Sequence, residues 1–79
     1  MENFNIINHN DSIEYEISDN ISLMYSKINN SYYIYDIDEE FDAFKIDIDE
    51  NFNGMTIDNV YITREYFLNF KIFIDNLIS

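Results

Sequence analysis

The sequence predicts an α+β domain: a three- to five-stranded, mostly antiparallel sheet in meander order, with one C-terminal helix packed on one of its faces. Three observations predict it. Up to about Ile57 the apolar residues recur mainly at every second position, as in half-buried strands. From Arg64 onward they recur at helical spacing instead. The connections between runs are short and rich in Asn, Asp and Ser, and short connections join antiparallel neighbours. The 79 residues make one domain, 1–79, with no internal repeat or linker.

Residues 1–11 are rich in Asn, with Phe4, Ile6 and Ile7 as anchors, and read as a short first strand or an ordered arm. Ile13, Tyr15 and Ile17 then alternate with Glu14 and Glu16, which marks a clear strand before the turn Ser18-Asp19-Asn20. Two β-rich runs follow, Ile21 to Ile28 and Tyr32 to Asp38. Between them Asn29-Asn30-Ser31 tolerates the left-handed backbone of a tight hairpin. In the second run Tyr33, Tyr35 and Ile37 share one face and Tyr32, Ile34, Asp36 and Asp38 the other. After a charged turn from Asp38 to Asp42, Ala43 to Asp49 is the next strand, with Phe44, Ile46 and Ile48 inward and Lys45, Asp47 and Asp49 outward. Asp49 to Gly54 turns the chain, and Met55 to Ile57, or a little beyond, is a last short strand.

Thr63 reads as the N-cap of a helix over residues 64–78, with Glu65 in the first turn, where the helix dipole favours an acid. Tyr66, Phe67, Phe70, Phe73, Ile74, Leu77 and Ile78 form one wide stripe expected to pack on the sheet, while Arg64, Lys71 and Asp75 fall opposite. Leu68 and Ile72, one turn apart, lie outside that stripe and read as peripheral core or as a small patch through which two copies associate.

A chain this short buries only about 60% of its unfolded surface. It has no cysteine, and His9 is its single histidine, so disulfides and zinc cannot supplement the core. Seven Phe, seven Tyr and fifteen Ile must supply it. The sharpest compositional signal is charge: sixteen acids against Lys27, Lys45, Arg64 and Lys71 leave a net −12. Eight of those acids fall between Asp36 and Glu50. Lysine appears three times beside twelve asparagines, although both suit the same A/T-rich codon bias, so lysine is specifically depleted. High aromatic content argues for a packed domain rather than disorder. No basic leader and no long apolar run is present, so the expectation is a soluble cytoplasmic protein, in the host cytoplasm if phage-encoded. An acidic surface repels nucleic acid and anionic lipid, which disfavours direct binding to either.

Catalysis needs a nucleophile or titratable group oriented by partners in a cleft, and neither lone His9 nor paired carboxylates such as Asp36 and Asp38 supply that, so the chain reads as a non-enzyme with no cofactor. Asp49, Asn51, Asn53 and Gly54 match the opening of a calcium loop, but Val60 stands where the bidentate Glu belongs, so a tight turn without a metal is expected. Acid display is the third pattern. Carboxylates at i and i+2 on a strand lie about 6.5–7 Å apart, close to two base steps of a duplex. Glu14 with Glu16, Asp36 with Asp38, and Asp47 with Asp49 are such pairs, flanked by Glu39, Glu40, Asp42 and Glu50.

In length, charge, absence of cysteine and β-plus-helix make-up the chain resembles small acidic inhibitors of the phage DNA-mimic and anti-CRISPR kind. The resemblance implies a non-enzymatic protein that occupies the basic channel of a nuclease, CRISPR or restriction effector in place of nucleic acid. Immunity proteins that neutralise basic nuclease toxins share the profile, as does a small structural or oligomeric component whose charge only keeps it in solution. The expected partner is therefore a basic protein. The acids named above would steer and register it, and Tyr32, Tyr33 and Tyr35, with Phe41 and Phe52, would supply buried contact area.

Overall fold

The computed structural model of the chain describes residues 5–36 and 44–78. Five strands form one antiparallel sheet in sequence order: β1 (Asn5–Asn8), β2 (Ser12–Glu16), β3 (Ile21–Ser26), β4 (Ser31–Asp36) and β5 (Phe44–Ile48). Two more, β6 (Gly54–Ile57) and β7 (Val60–Thr63), pair in a separate hairpin, and helix α1 (Arg64–Ile78) follows without a gap. The expected meander with a C-terminal helix is the architecture found.

Register explains which residues form the core. One row across the sheet runs Ile6, Tyr15, Leu23, Ile34, Ile46, and the next runs Asn8, Ile13, Tyr25, Tyr32, Ile48. These rows meet Ile62 of β7 and Phe70 and Ile74 of α1, with Met55, Ile57, Val60 and Tyr66 packed around them. The hairpin and the helix thus cover the same face of the sheet. Tyr15, Tyr32, Tyr66, Phe67 and Phe70 meet ring to edge or tilted at centroid distances of 5.4–6.1 Å, the favoured aromatic geometry.

The turns follow their residues. At the β3–β4 hairpin the amide of Asn30 donates to the carbonyl of Ser26 at 2.8 Å with Asn30 in the left-handed region (φ 55°), and the Tyr25 hydroxyl donates to Asn30 Oδ1 at 2.8 Å. Asp58 and Asn59 both have positive φ (52° and 65°), as a two-residue type I′ hairpin turn requires. That turn makes β7, a strand the sequence reading lacks. The signal was present, since Asp-Asn stands between the β-branched Ile57 and Val60. Gly54 sits at φ +109°, and a β-carbon there would lie 2.9 Å from Tyr61 Oη and 3.1 Å from the Ile62 carbonyl, so the close approach of β6 to β7 needs glycine.

The Thr63 hydroxyl caps α1 by accepting from the Tyr66 amide at 3.2 Å, and the helix spans the residues expected. Its buried stripe is narrower than expected. Only Phe67, Phe70 and Ile74 are buried, whereas Phe73, Leu77 and Ile78 are exposed together with Leu68 and Ile72. The narrow stripe reflects packing against a small sheet and hairpin, which is enough to cover the middle of the helix but not its last turn.

Candidate partner-binding face

Among the described residues neither helix nor hairpin covers the opposite face of the five-stranded sheet, where Ser22 and Met24 are buried at the centre. Alternation places two rows there: Ile7, Glu14, Met24, Tyr33, Asp47, and beside it Asn5, Glu16, Ser22, Tyr35, Lys45. Five of the expected contact residues, Glu14, Glu16, Tyr33, Tyr35 and Asp47, therefore share one surface. Their arrangement differs from an unbroken acid row. Glu14 and Glu16 stand on β2 and Asp47 three strands away on β5, roughly 14 Å at 4.7–4.9 Å per strand. The tyrosines and Met24 fill the centre, so the acids frame an aromatic patch.

Asp36 is a correction. It pairs with Ile21 on the covered face and is 2% exposed, so it cannot present its carboxylate to a partner. The physical reason is parity: it shares a face with Tyr32 and Ile34, and the helix packs on that face. Asp38, Glu39, Glu40 and Asp42 lie outside the described residues. Asp49 and Glu50 are exposed at the end of β5, where the chain turns toward the helix.

Two of the framing acids, Glu14 and Glu16, are held by hydrogen-bonding neighbours. Ser22 Oγ donates to Glu14 Oε2 at 2.7 Å, His9 Nε2 lies 2.8 Å from Glu14 Oε1, and Asn5 Nδ2 donates to Glu16 Oε1 at 2.7 Å. These contacts fix the direction of each carboxylate without a lysine or arginine. Lys27, Arg64 and Lys71 are used elsewhere, while Lys45 stands on this face itself. Lys27 Nζ donates to Asn8 Oδ1 (2.6 Å) and to the His9 carbonyl (2.7 Å). Arg64 donates to the carbonyls of Glu50 (2.9 Å) and Phe52, and Lys45 Nζ lies 5.3 Å from the centroid of the Tyr33 ring. Lys71 Nζ lies 5.8 Å from the Tyr32 ring and 4.0 Å from Asp75 Oδ2, the one Lys–carboxylate pair among the described residues.

The Tyr33 hydroxyl is pushed above its ordinary pKa first by burial and then by the neighbouring Tyr35, so it stays neutral and able to donate a hydrogen bond at physiological pH. The Lys45 contact with Tyr33 escaped the sequence reading, which treated Lys45 only as the lone cation of an acidic run. Its signal is positional, because Lys45 is opposite Tyr35 and therefore diagonal to Tyr33.

The calcium-like run forms a turn. The Asn51 amide donates to Asp49 Oδ1 and the Phe52 amide to the Asp49 carbonyl, both at 2.9 Å, while Arg64 takes the carbonyls of Glu50 and Phe52. A cationic guanidinium occupies the carbonyls that a bound cation would compete for. Among the described residues no three His, Cys, Asp or Glu side chains come together as metal ligands, and no helix is long and apolar enough to cross a membrane.

Compared with known proteins, the chain matches no family model, no curated protein and no solved structure. Its functional reading rests on this geometry.

Proposed function

We propose that the chain is a non-enzymatic acidic binding protein that inhibits a nucleic-acid-binding effector of nuclease, CRISPR or restriction type by occupying its basic channel. It would act in the cytoplasm, the host's if phage-encoded. One observation carries the reading: among the described residues neither the helix nor the hairpin covers one face of the sheet, which has tyrosines at its centre, carboxylates at its margins and a single lysine, Lys45, over the Tyr33 ring. A solubilising charge needs no such arrangement. A frame with more acids than cations raises the local concentration of a basic partner and speeds its association, and the aromatic centre supplies the buried area.

The test uses purified RNA-guided, restriction and toxin nucleases with a labelled duplex as competitor. The wild type should displace the duplex from its effector, with affinity falling steeply as salt rises. A variant with Glu14→Gln, Glu16→Gln and Asp47→Asn keeps volume and register. At about 0.2–1 kcal/mol per lost rim contact, it should bind roughly 3- to 150-fold more weakly. Unchanged affinity and unchanged salt dependence in that folded variant would end the proposal.

A further inference from the structure

A cleft of about 280 Å³ opens where the end of the sheet meets α1. Tyr32, Ile48 and Phe67 line it with apolar surface, and Asp49, Glu50 and Lys71 are the charged groups beside them. It lies just below the roughly 300–1,000 Å³ of small-molecule sites, so it suits one long side chain better than a free ligand. Asp49 and Glu50 belong to the acidic set of the partner-binding reading, yet they stand apart from the open face and at this mouth.

We infer that the cleft is an anchor slot for a single arginine side chain of a basic protein partner. The aliphatic stem would lie along Ile48 and Phe67, and the guanidinium would stack on Tyr32 and face the carboxylates at the mouth. Arginine fits better than lysine because its planar, weakly hydrated head both stacks on a ring and forks to a carboxylate. The molecule already holds one cation at this ring, since Lys71 Nζ lies 5.8 Å from the Tyr32 centroid. Lys71 is half-buried and tied to Asp75 only at 4.0 Å, so its ammonium can be displaced. Lys71 therefore acts as an internal competitor for the incoming arginine. Glu50 is free to answer it, because the Glu50 backbone is held through its carbonyl by Arg64 while its side chain is exposed.

This inference rests on the proposed function for the nature of the partner, but its test does not use an effector. The probe is the neutral-capped tripeptide acetyl-Gly-Arg-Gly-amide, titrated into the labelled protein at low salt and followed by backbone amide shifts. Saturable shifts should concentrate at residues 31–32, 48–50 and 67–71. The citrulline analogue, which keeps shape but not charge, should give none. Lys71→Met, which keeps the stem and frees the ring, should tighten binding, and Glu50→Gln should weaken it, each by about three- to fivefold. A merely structural Lys71 would not give tighter binding on removal. Shifts spread evenly over Glu14, Glu16 and Asp47, or a Lys71→Met variant with unchanged or weaker binding, would overturn the slot. If the tripeptide binds as expected but no effector is inhibited, the functional proposal fails alone. If an effector is inhibited but the tripeptide and both variants show nothing, the slot fails alone.

Discussion

Tyr32 and Tyr33 are consecutive in β4, but their rings lie on opposite faces of the sheet, and most of what distinguishes the two faces follows from that alternation. Tyr32 meets Tyr25, Phe67 and Phe70 at 5.0, 5.4 and 5.9 Å, inside an aromatic cluster roofed by the helix. Tyr33 stands among Met24, Asp47 and Lys45, with a cation over its ring. The same contrast separates two acids: Asp36 is buried on the covered face, whereas Asp47 is exposed on the open one. A strand can serve stability with one set of residues and recognition with the next set, because a period of two divides them without compromise. In so small a domain that division leaves the second face uncovered by the helix and the hairpin.

The largest effect expected from this contrast is in the cluster itself. Phe70→Ala should destabilise the fold by about 3–5 kcal/mol, a large share of the 5–15 kcal/mol typical of a domain. Tyr33→Phe on the open face should change stability by less than about 0.5 kcal/mol. Urea denaturation of both variants measures the difference, and comparable losses would mean that the open face is also core. A smaller gap is expected between the acids. Asp36→Asn should cost about 1–3 kcal/mol by disturbing a buried polar group, while Asp47→Asn should stay within about 0.5 kcal/mol of wild type.

Alkaline pH sharpens the comparison through the tyrosines. Burial first, then the Asp75 charge and Tyr25, push the Tyr32 hydroxyl up to about 12 from an ordinary value of 10.0. The folded state therefore binds more protons than the unfolded chain between those values. The resulting stability is fully present below pH 10 and is lost as pH rises toward 12. Thermal melts across that window should show a steeper alkaline fall for wild type than for Tyr32→Phe, and parallel curves would count against burial of that hydroxyl. The smallest effect concerns assembly. Leu68 and Ile72, 39% and 60% exposed on the solvent side of α1, should support weak pairing of two copies that Leu68→Lys abolishes. Sedimentation checks it, and a wild-type monomer at every accessible concentration would end the idea. The net charge of −12 opposes such pairing, which is why the effect should be small.

Much of the fold was legible because its signals are local. Ile13, Tyr15 and Ile17 alternate with acids, Thr63 stands one residue before a helical pattern, and Asn30 marks a left-handed turn. Each depends on a few neighbours in the chain, and each was found where expected. The β6–β7 hairpin was missed because its strands are four residues each and its Asp-Asn turn lacks the glycine that usually announces one. The site was read less completely. Glu14, Glu16 and Asp47 were recognised as displayed acids, but their frame around Tyr33 and Tyr35 depends on strand order, which joins residues more than thirty apart in the chain.

By itself the sequence determined the strand and helix periods, the cap, the hairpin turn at Asn30 and the excess of acid, since these follow from side-chain chemistry and spacing along the chain. Only the tertiary structure decided which face of β4 is covered. Both sides of β4 carry large side chains that can be buried, Tyr33 and Tyr35 on one and Tyr32 and Ile34 on the other, so the pattern along the strand does not choose between them. The choice is made where α1 and the hairpin bring Phe70, Ile74 and Ile62 down onto Tyr15, Leu23 and Ile34. Asp36 falls on that covered side and is buried, Tyr33 falls on the other, and Lys71 lies over Tyr32. Burial is a property of what lies opposite a residue, and for a strand with two apolar faces only the folded chain supplies it.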